Sequence, residues 1–345
     1  MSSTVLVTGH NGYIGSVLTQ VLSNAGHEVL GLDSYLFRDC RFGEDISEIP
    51  AKNKDIRDIT ASDLDGVDVI CHLAGISNDP VGDLSPAVTD EVNHVAAVRL
   101  AGLARDAGVE RFVFSSSCSI YGSSPGGWVD ETSEINPVTP YGWSKIHVER
   151  EVSTMASDDF SPVFLRNATA YGVSPRLRAD LVVNNMVGYA VTQDRVFMKS
   201  DGTPWRPLVH IEDIALAFLA AIEAPREAIH SEVFNVGSTA ENYQIRDVAR
   251  MIEGVIPDAK FEMAESAGPD IRNYRVNCDK IAGMLPYTPK WTVEAGIREL
   301  YEAFRREGLS EEQFFGSLFR IQHIKMLQER GDLDANLRLA SSSHA

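Results

Sequence analysis

Short apolar runs alternate with helical stripes through the first half of the chain. Thr4-Val5-Leu6-Val7 is an apolar segment of strand length. Gly15 to Ala25 follows with Val17, Leu18, Val21 and Leu22 at helical spacing, and Gly26 stands where a C-cap belongs. His27–Leu32, Val67–His72, Arg111–Ser115 and Val163–Leu165 read as further strands, and Val92–Ala107 as a helix closed by Gly108. Strands that are apolar throughout belong to a sheet covered on both faces. Their alternation with helices predicts an α/β fold with a doubly wound parallel sheet.

Past Gly172 the pattern loosens. Arg176–Arg195 reads as a loop and a helix, and Asp201–Trp205 as a turn-rich insert. Leu208–Ile211, the helix Ile214–Ala224 and the strand Val233–Val236 read as a return to the main sheet, whereas Gln244–Val255 reads as a separate helix. The expected organisation is a nucleotide-binding domain over 1–172 with returning elements at about 207–237, and a smaller, interleaved α/β substrate-binding domain over 173–345. Residues 309–339 form a C-terminal helical extension, in which Phe319, Ile321, Ile324 and Leu327 mark a stripe for the body or a partner subunit.

Composition narrows the partners. The 345 residues carry a net charge of −18, so nucleic acid and acidic membranes are repelled. A small anion can still be held by local arginines. The four cysteines (Cys40, Cys71, Cys118, Cys278) show neither CxxC nor zinc-like spacing, which implies free thiols, no metal site and a reducing, cytoplasmic setting. No secretory pattern precedes the first strand, and the apolar stretch Ile214–Ile222 is too short to span a bilayer.

The chemistry begins at Thr8-Gly9-His10-Asn11-Gly12-Tyr13-Ile14-Gly15, between the first strand and the first helix. Gly9 permits a tight turn, Gly12 close approach of a pyrophosphate, and Gly15 close packing of helix on strand. The helix N-terminus adds free N–H groups for phosphate, with Asn11, Tyr13 and Ile14 completing the loop. This is the dinucleotide fingerprint of a Rossmann sheet. Asp33 ends the second strand, where a carboxylate binds both ribose hydroxyls and repels a 2′-phosphate, favouring NAD. Arg38 and Arg41 keep NADP open.

Further on, Tyr141 and Lys145 stand four residues apart, on one face of a helix. A tyrosine is a poor base at neutral pH unless a cation stabilises its phenolate. Lys145 and a nicotinamide cation supply that, so Tyr141 can exchange the proton of a sugar or alcohol hydroxyl, with Ser117 holding the same oxygen.

With Gly9/Gly12/Gly15, Asp33, Asp55-Ile56-Arg57, His72-Leu73-Ala74-Gly75, Asn93, Ser115-Ser116-Ser117, the Tyr141/Lys145 pair, Leu165-Arg166, Arg206-Pro207-Leu208-Val209-His210 and Phe234-Asn235-Val236-Gly237, the chain resembles the extended short-chain dehydrogenase/reductases, in their nucleotide-sugar epimerase/dehydratase branch. The resemblance runs from about Thr4 to Tyr301. It implies that Asp55 and Ile56 flank the adenine, that Leu73, Ala74 and Gly75 run beneath the cofactor, and that Asn93 and Ser115 help hold it. Ser117, Tyr141 and Lys145 are then the catalytic set. Arg206 matches an arginine on the substrate diphosphate, and Arg272 resembles a second one; for both, the alternative is a surface salt bridge. Leu181 and Asn184 lie where relatives contact the nucleotide. A homodimer through Val92–Ala107 and Tyr141–Thr154 is also implied.

Two departures shape the expected reaction. Thr169 stands where relatives usually carry an asparagine that touches a substrate phosphate. Cys118 and Ser119 stand where 4,6-dehydratases carry an Asp-Glu pair, which disfavours dehydration. Cys118 itself is either a thiol acid/base beside the sugar or a small buried hydrophobe. The expected function is an NAD-dependent nucleotide-sugar epimerase acting at C4. The alternatives are a keto-sugar reductase or dehydratase on the same scaffold, and a non-catalytic dinucleotide sensor.

Overall fold

A computed structural model describes residues 2–43, 48–77, 79–268 and 272–340. Seven strands, β1 (Thr4–Thr8), β2 (Glu28–Asp33), β3 (Ala51–Asn53), β4 (Val69–His72), β5 (Arg111–Ser117), β6 (Ser161–Asn167) and β7 (Val233–Val236), form a parallel sheet. Their order is β7-β6-β5-β4-β1-β2-β3. The chain winds outward in both directions from β1 and β4, so a crevice opens between the carboxyl ends of these two strands.

Period-two alternation fills both faces. Val5, Val7, Val69, Cys71, Val113, Val163 and Leu165 join one buried cluster, with Leu18 and Leu22 of α1 (Gly15–Asn24). Leu6, Ile70, Phe112, Phe114 and Phe164 join another, with Leu100 and Ala104 of α2 (Ala96–Asp106) and Val148 and Val152 of α3 (Pro140–Ser153).

A second core gathers α4 (Val182–Gln193), α6 (Ile245–Val255) and α7 (Val293–Arg306) through Val187, Val248, Ile252, Ile297, Leu300 and Phe304. The helix α5 (Ile211–Glu223), between α4 and α6 in sequence, belongs instead to the first cluster through Ile214 and Phe218. Val233–Val236 does join the main sheet, but Leu208–Ile211 does not. Trp205–His210 pairs with Thr169–Tyr171 and Asn242–Gln244 in a separate three-stranded sheet. The N–H of Ala168 still donates to the Val236 carbonyl at 2.9 Å, and from Thr169 onward the chain takes Leu208–His210 as its neighbour.

The extension packs on the body. Ile324 and Leu327 of α8 (Arg320–Arg330) share a cluster with Ile76, Val81 and Val88, from the segment following β4.

Candidate functional site

The crevice is a cleft of about 950 Å³ whose lining includes Asp55, Ile56, Arg206 and Arg272. Its floor is the glycine loop. Gly9 has φ of +75°, and a Cβ there would come within 2.7 Å of the Ala74 backbone nitrogen. At Gly15 a Cβ would come within 2.1 Å of the Gly9 carbonyl oxygen, so α1 can start this close to β1 only with glycine. Gly12, whose N–H donates to that same carbonyl at 3.0 Å, would keep a Cβ 3.1 Å away. The loop is therefore a bare backbone cradle at a helix N-terminus, and it fits a dinucleotide diphosphate.

Asp33 also lines the cleft. Its carboxylate accepts from the N–H of Asn11 at 3.0 Å and of Tyr35 at 2.7 Å. Burial pushes its carboxyl up, while His10 and these amides pull it back. Asn11 acts through its backbone and through Oδ1, which accepts from Nε of Arg176 at 2.9 Å. Tyr13, Ile14, Leu73, Ala74 and Gly75 line the cleft directly. Asn93 does not: its Oδ1 accepts from the Ile76 N–H at 2.7 Å and its Nδ2 donates to the Ile76 carbonyl at 2.9 Å, so it fixes the chain just after Gly75.

Tyr141 and Lys145 face the cleft from α3, which begins with Thr139 capping the Gly142 N–H and Pro140 in its first turn. Nζ of Lys145 donates to the Ser115 carbonyl at 2.7 Å and lies 5.4 Å from the centre of the Tyr141 ring. Burial pushes its pKa down to about 7, opposed by the nearby Glu149 carboxylate. Glu149 is itself paired with Arg166 at 2.7 Å, both buried, and accepts from Ser116 Oγ. This ion pair ties α3 to the ends of β5 and β6. Ser115 and Ser117 line the cleft, and Ser117 Oγ accepts from the Ser119 N–H at 3.1 Å.

Thr169, Leu181, Arg206 and Arg272 line the same cleft. Arg206 is anchored to the carbonyl oxygens of Trp205 and Arg272. Asp270 and Ile271, beside Arg272, lie outside the described residues.

Two sequence expectations need correction. Asn184 is wholly buried: it accepts from the Gly172 N–H at 3.0 Å and donates to the Tyr13 hydroxyl at 3.1 Å and to the Arg178 carbonyl at 3.1 Å. It braces the cleft instead of lining it. Cys118 turns into a core with Ile120, Tyr121 and Cys278, and its thiol donates to the Arg166 carbonyl at 3.1 Å. Cys118 is thus set away from the cleft lining, in a core whose burial also raises the thiol well above its usual range, so it is not placed to carry a proton.

Among the cleft residues that sequence reasoning did not assign to the site, four carry polar groups of interest. Ser119 Oγ is buried without a partner. Arg178 also lines the cleft, held by Asp180 and by Ser77 Oγ at 3.0 Å. Asn167 donates to Ser115 Oγ at 3.1 Å, and Arg320 enters from the extension. Only long-range folding brings these positions together, so no local spacing marks them.

Residues 5–237 match the model of the NAD dependent epimerase/dehydratase family. The UDP-glucose 4-epimerase of Mycolicibacterium smegmatis is 30% identical over 318 residues, covering 88% of this chain and 98% of that protein. Among solved structures, the Thermus thermophilus UDP-glucose 4-epimerase complex with NAD is 26% identical with a TM-score of 0.76. The Bacillus cereus UDP-glucuronic acid 4-epimerase, in complex with UDP-glucuronic acid and NAD, is 26% identical with a TM-score of 0.74. Each superposition covers 88% of this chain and 99% of the other.

Proposed function

Because the chain belongs to the NAD dependent epimerase/dehydratase family, we propose that it is a nucleotide-sugar 4-epimerase, which inverts the hydroxyl at C4 of a UDP-linked sugar. The observation that carries this reading is that Tyr141, Lys145 and Ser117 line the same cleft as the glycine cradle and Arg206, with Lys145 Nζ 5.4 Å from the Tyr141 ring centre. The relatives' substrates favour a uridine nucleotide.

Gly9, Asn11, Gly12, Tyr13, Ile14 and Gly15 would hold the NAD diphosphate, Asp33 its ribose, and Asp55 and Ile56 its adenine edge. Leu73, Ala74, Gly75 and Ser115 would run along its nicotinamide half, steadied by Asn93. NAD supplies, when bound, a reversible hydride acceptor next to the sugar carbon. Tyr141 Oη takes the sugar hydroxyl proton and returns it. Lys145 stabilises the phenolate through its charge, and Ser117 Oγ holds the reacting oxygen by a hydrogen bond. Arg206 and Arg272 neutralise the substrate diphosphate, while Thr169 and Leu181 shape the pocket around it. Ser119 has no carboxylic acid to expel water, which supports epimerisation over dehydration.

In this reading residues 1–172, with α5 and β7 returning from about 207–237, carry the cofactor, and the remainder of 173–345 carries the substrate. We also propose a homodimer, supported by half-exposed apolar side chains on the two candidate helices, Trp143 on α3 and Val95 just before α2. No helix among the described residues is long and apolar enough to cross a membrane. The four buried free cysteines support a reducing, cytoplasmic setting.

The test is a screen of the purified protein against UDP-, dTDP-, GDP- and CDP-sugars without added cofactor, read by mass spectrometry and NMR. A C4 epimer of unchanged mass is expected. A product lighter by one water would replace the reading with a dehydratase, and turnover only with added NAD(P)H and a keto-sugar would replace it with a reductase.

A further inference from the structure

The cleft has a wall outside the segment that matches the family model, which ends at residue 237. After α7, Ser310 caps the short helix Glu311–Phe315, α8 follows, and a bridge from Leu333 to Leu339 closes the extension. This segment crosses the rim next to β2 and β3. His323 Nε2 lies 2.9 Å from the Leu36 carbonyl oxygen, and Arg57 Nη1 donates to the Asn336 carbonyl at 2.9 Å. Three of its residues, Phe319, Arg320 and Leu337, line the cleft.

Arg320 is 3% exposed. Its Nη2 donates to the Arg176 carbonyl at 2.8 Å, and Arg176 in turn holds Asn11 of the glycine loop. Its guanidinium lies 4.4 Å from the Phe37 ring centre. Nη1 has no hydrogen-bond partner. The Cys40 thiol lies beside this arginine, and Asp180, whose carboxylate acts on it from a distance, is paired with Arg178 at 2.5 Å. A buried cation without a carboxylate in contact is unfavourable, and a planar guanidinium suits a diphosphate. Leu337 has φ of +55°, a left-handed conformation uncommon for leucine. Such strain persists where the surroundings hold it, here through Arg57 and through Arg338, whose Nη1 donates to Asp58 at 2.6 Å.

We propose that the C-terminal extension is a wall of the cofactor site, with Arg320 Nη1 binding the dinucleotide diphosphate and Leu337 packing on the adenosine end. The proposal rests on the reading that the glycine loop holds that diphosphate. It makes the extension part of cofactor retention.

The test is calorimetric titration of cofactor-stripped full-length protein with NAD, ADP-ribose, adenosine and UDP. Arg320→Met, which keeps the stem and removes the charge, is expected to weaken NAD and ADP-ribose about tenfold or more, with adenosine and UDP unchanged. Arg320→Lys is expected to recover part of that loss. Leu337→Ala is expected to weaken adenosine, NAD and ADP-ribose alike, and it tests the wall independently if Arg320→Met fails to fold. Unchanged NAD affinity in Arg320→Met, equal loss for all four ligands, or loss for UDP alone would overturn the proposal. A wild-type protein that binds neither NAD nor ADP-ribose would overturn the cofactor reading beneath it.

Discussion

Lys145 Nζ sits 5.4 Å from the ring centre of Tyr141 while its proton is held by the Ser115 carbonyl at 2.7 Å. One turn of α3 thus sets the distance between a phenol and a cation, and the end of β5 sets the direction of the cation. Removing the phenolic oxygen leaves that frame in place. Tyr141→Phe is therefore expected to lower kcat by about 10²- to 10⁴-fold with little change in melting temperature or bound NAD. Steady-state kinetics with a cofactor assay checks this.

Lys145 gives a pH dependence of stability. Its pKa is about 7 in the folded protein because of burial, against an ordinary lysine value of 10.5 in the unfolded chain. Between those two values the unfolded chain binds more protons, so stability rises with pH. The unfolding free energy of wild type minus that of Lys145→Met is expected to shift in favour of wild type from about pH 7 to about 10.5, by up to about 1.4 kcal/mol per pH unit. Below about pH 7 the difference is expected to be flat. Urea unfolding of both proteins across this range checks the sign.

The two inner glycines of the loop separate folding from binding. A Cβ at Gly15 would meet the Gly9 carbonyl oxygen at 2.1 Å, whereas one at Gly12, a residue that lines the cleft, would lie 3.1 Å from it. Gly15→Ala is expected to destabilise the whole protein by at least about 2 kcal/mol, as overpacking does. Gly12→Ala is expected to fold but to lose NAD. Melting curves with and without NAD distinguish the two.

Cys118 is expected to be dispensable for turnover. Cys118→Ala should keep kcat within about threefold and cost about 1 kcal/mol or slightly more for the small cavity. All four cysteines are buried, so thiol reagents are expected to titrate them only on unfolding.

The sheet was legible because its strands are covered on both faces: Val5-Leu6-Val7 supplies Val5 and Val7 to one cluster and Leu6 to the other, leaving no polar position to obscure the run. The glycine loop, Asp33 and the Tyr141/Lys145 pair were legible because their chemistry lies in local spacing. Leu208–Ile211 was misassigned because its apolar run resembles a main-sheet strand, whereas Leu208–His210 pairs with Thr169–Tyr171 beyond the end of β6. The helix α7 went unread although Val293, Ile297, Leu300 and Phe304 mark a helical stripe. Cys118 and Asn184 were misplaced for another reason. A residue next to a cleft-lining position points in or out by one step of backbone, and the sequence carries no sign of which. Arg320 reaches the cleft from a segment 144 positions beyond Arg176, and only the packing of Ile324 and Leu327 brings it there.

On the proposed reading, inversion proceeds by a transient oxidation at the sugar carbon that carries the hydroxyl, assisted by Tyr141. Turnover of a UDP-sugar in D2O by the protein as purified, with the product examined by NMR, tests this. A C4 epimer that keeps its original hydrogen at C4 and gains no carbon-bound deuterium is expected. Deuterium at C4 or at a neighbouring carbon would mean that the proton had been exchanged with solvent, and would contradict this reading.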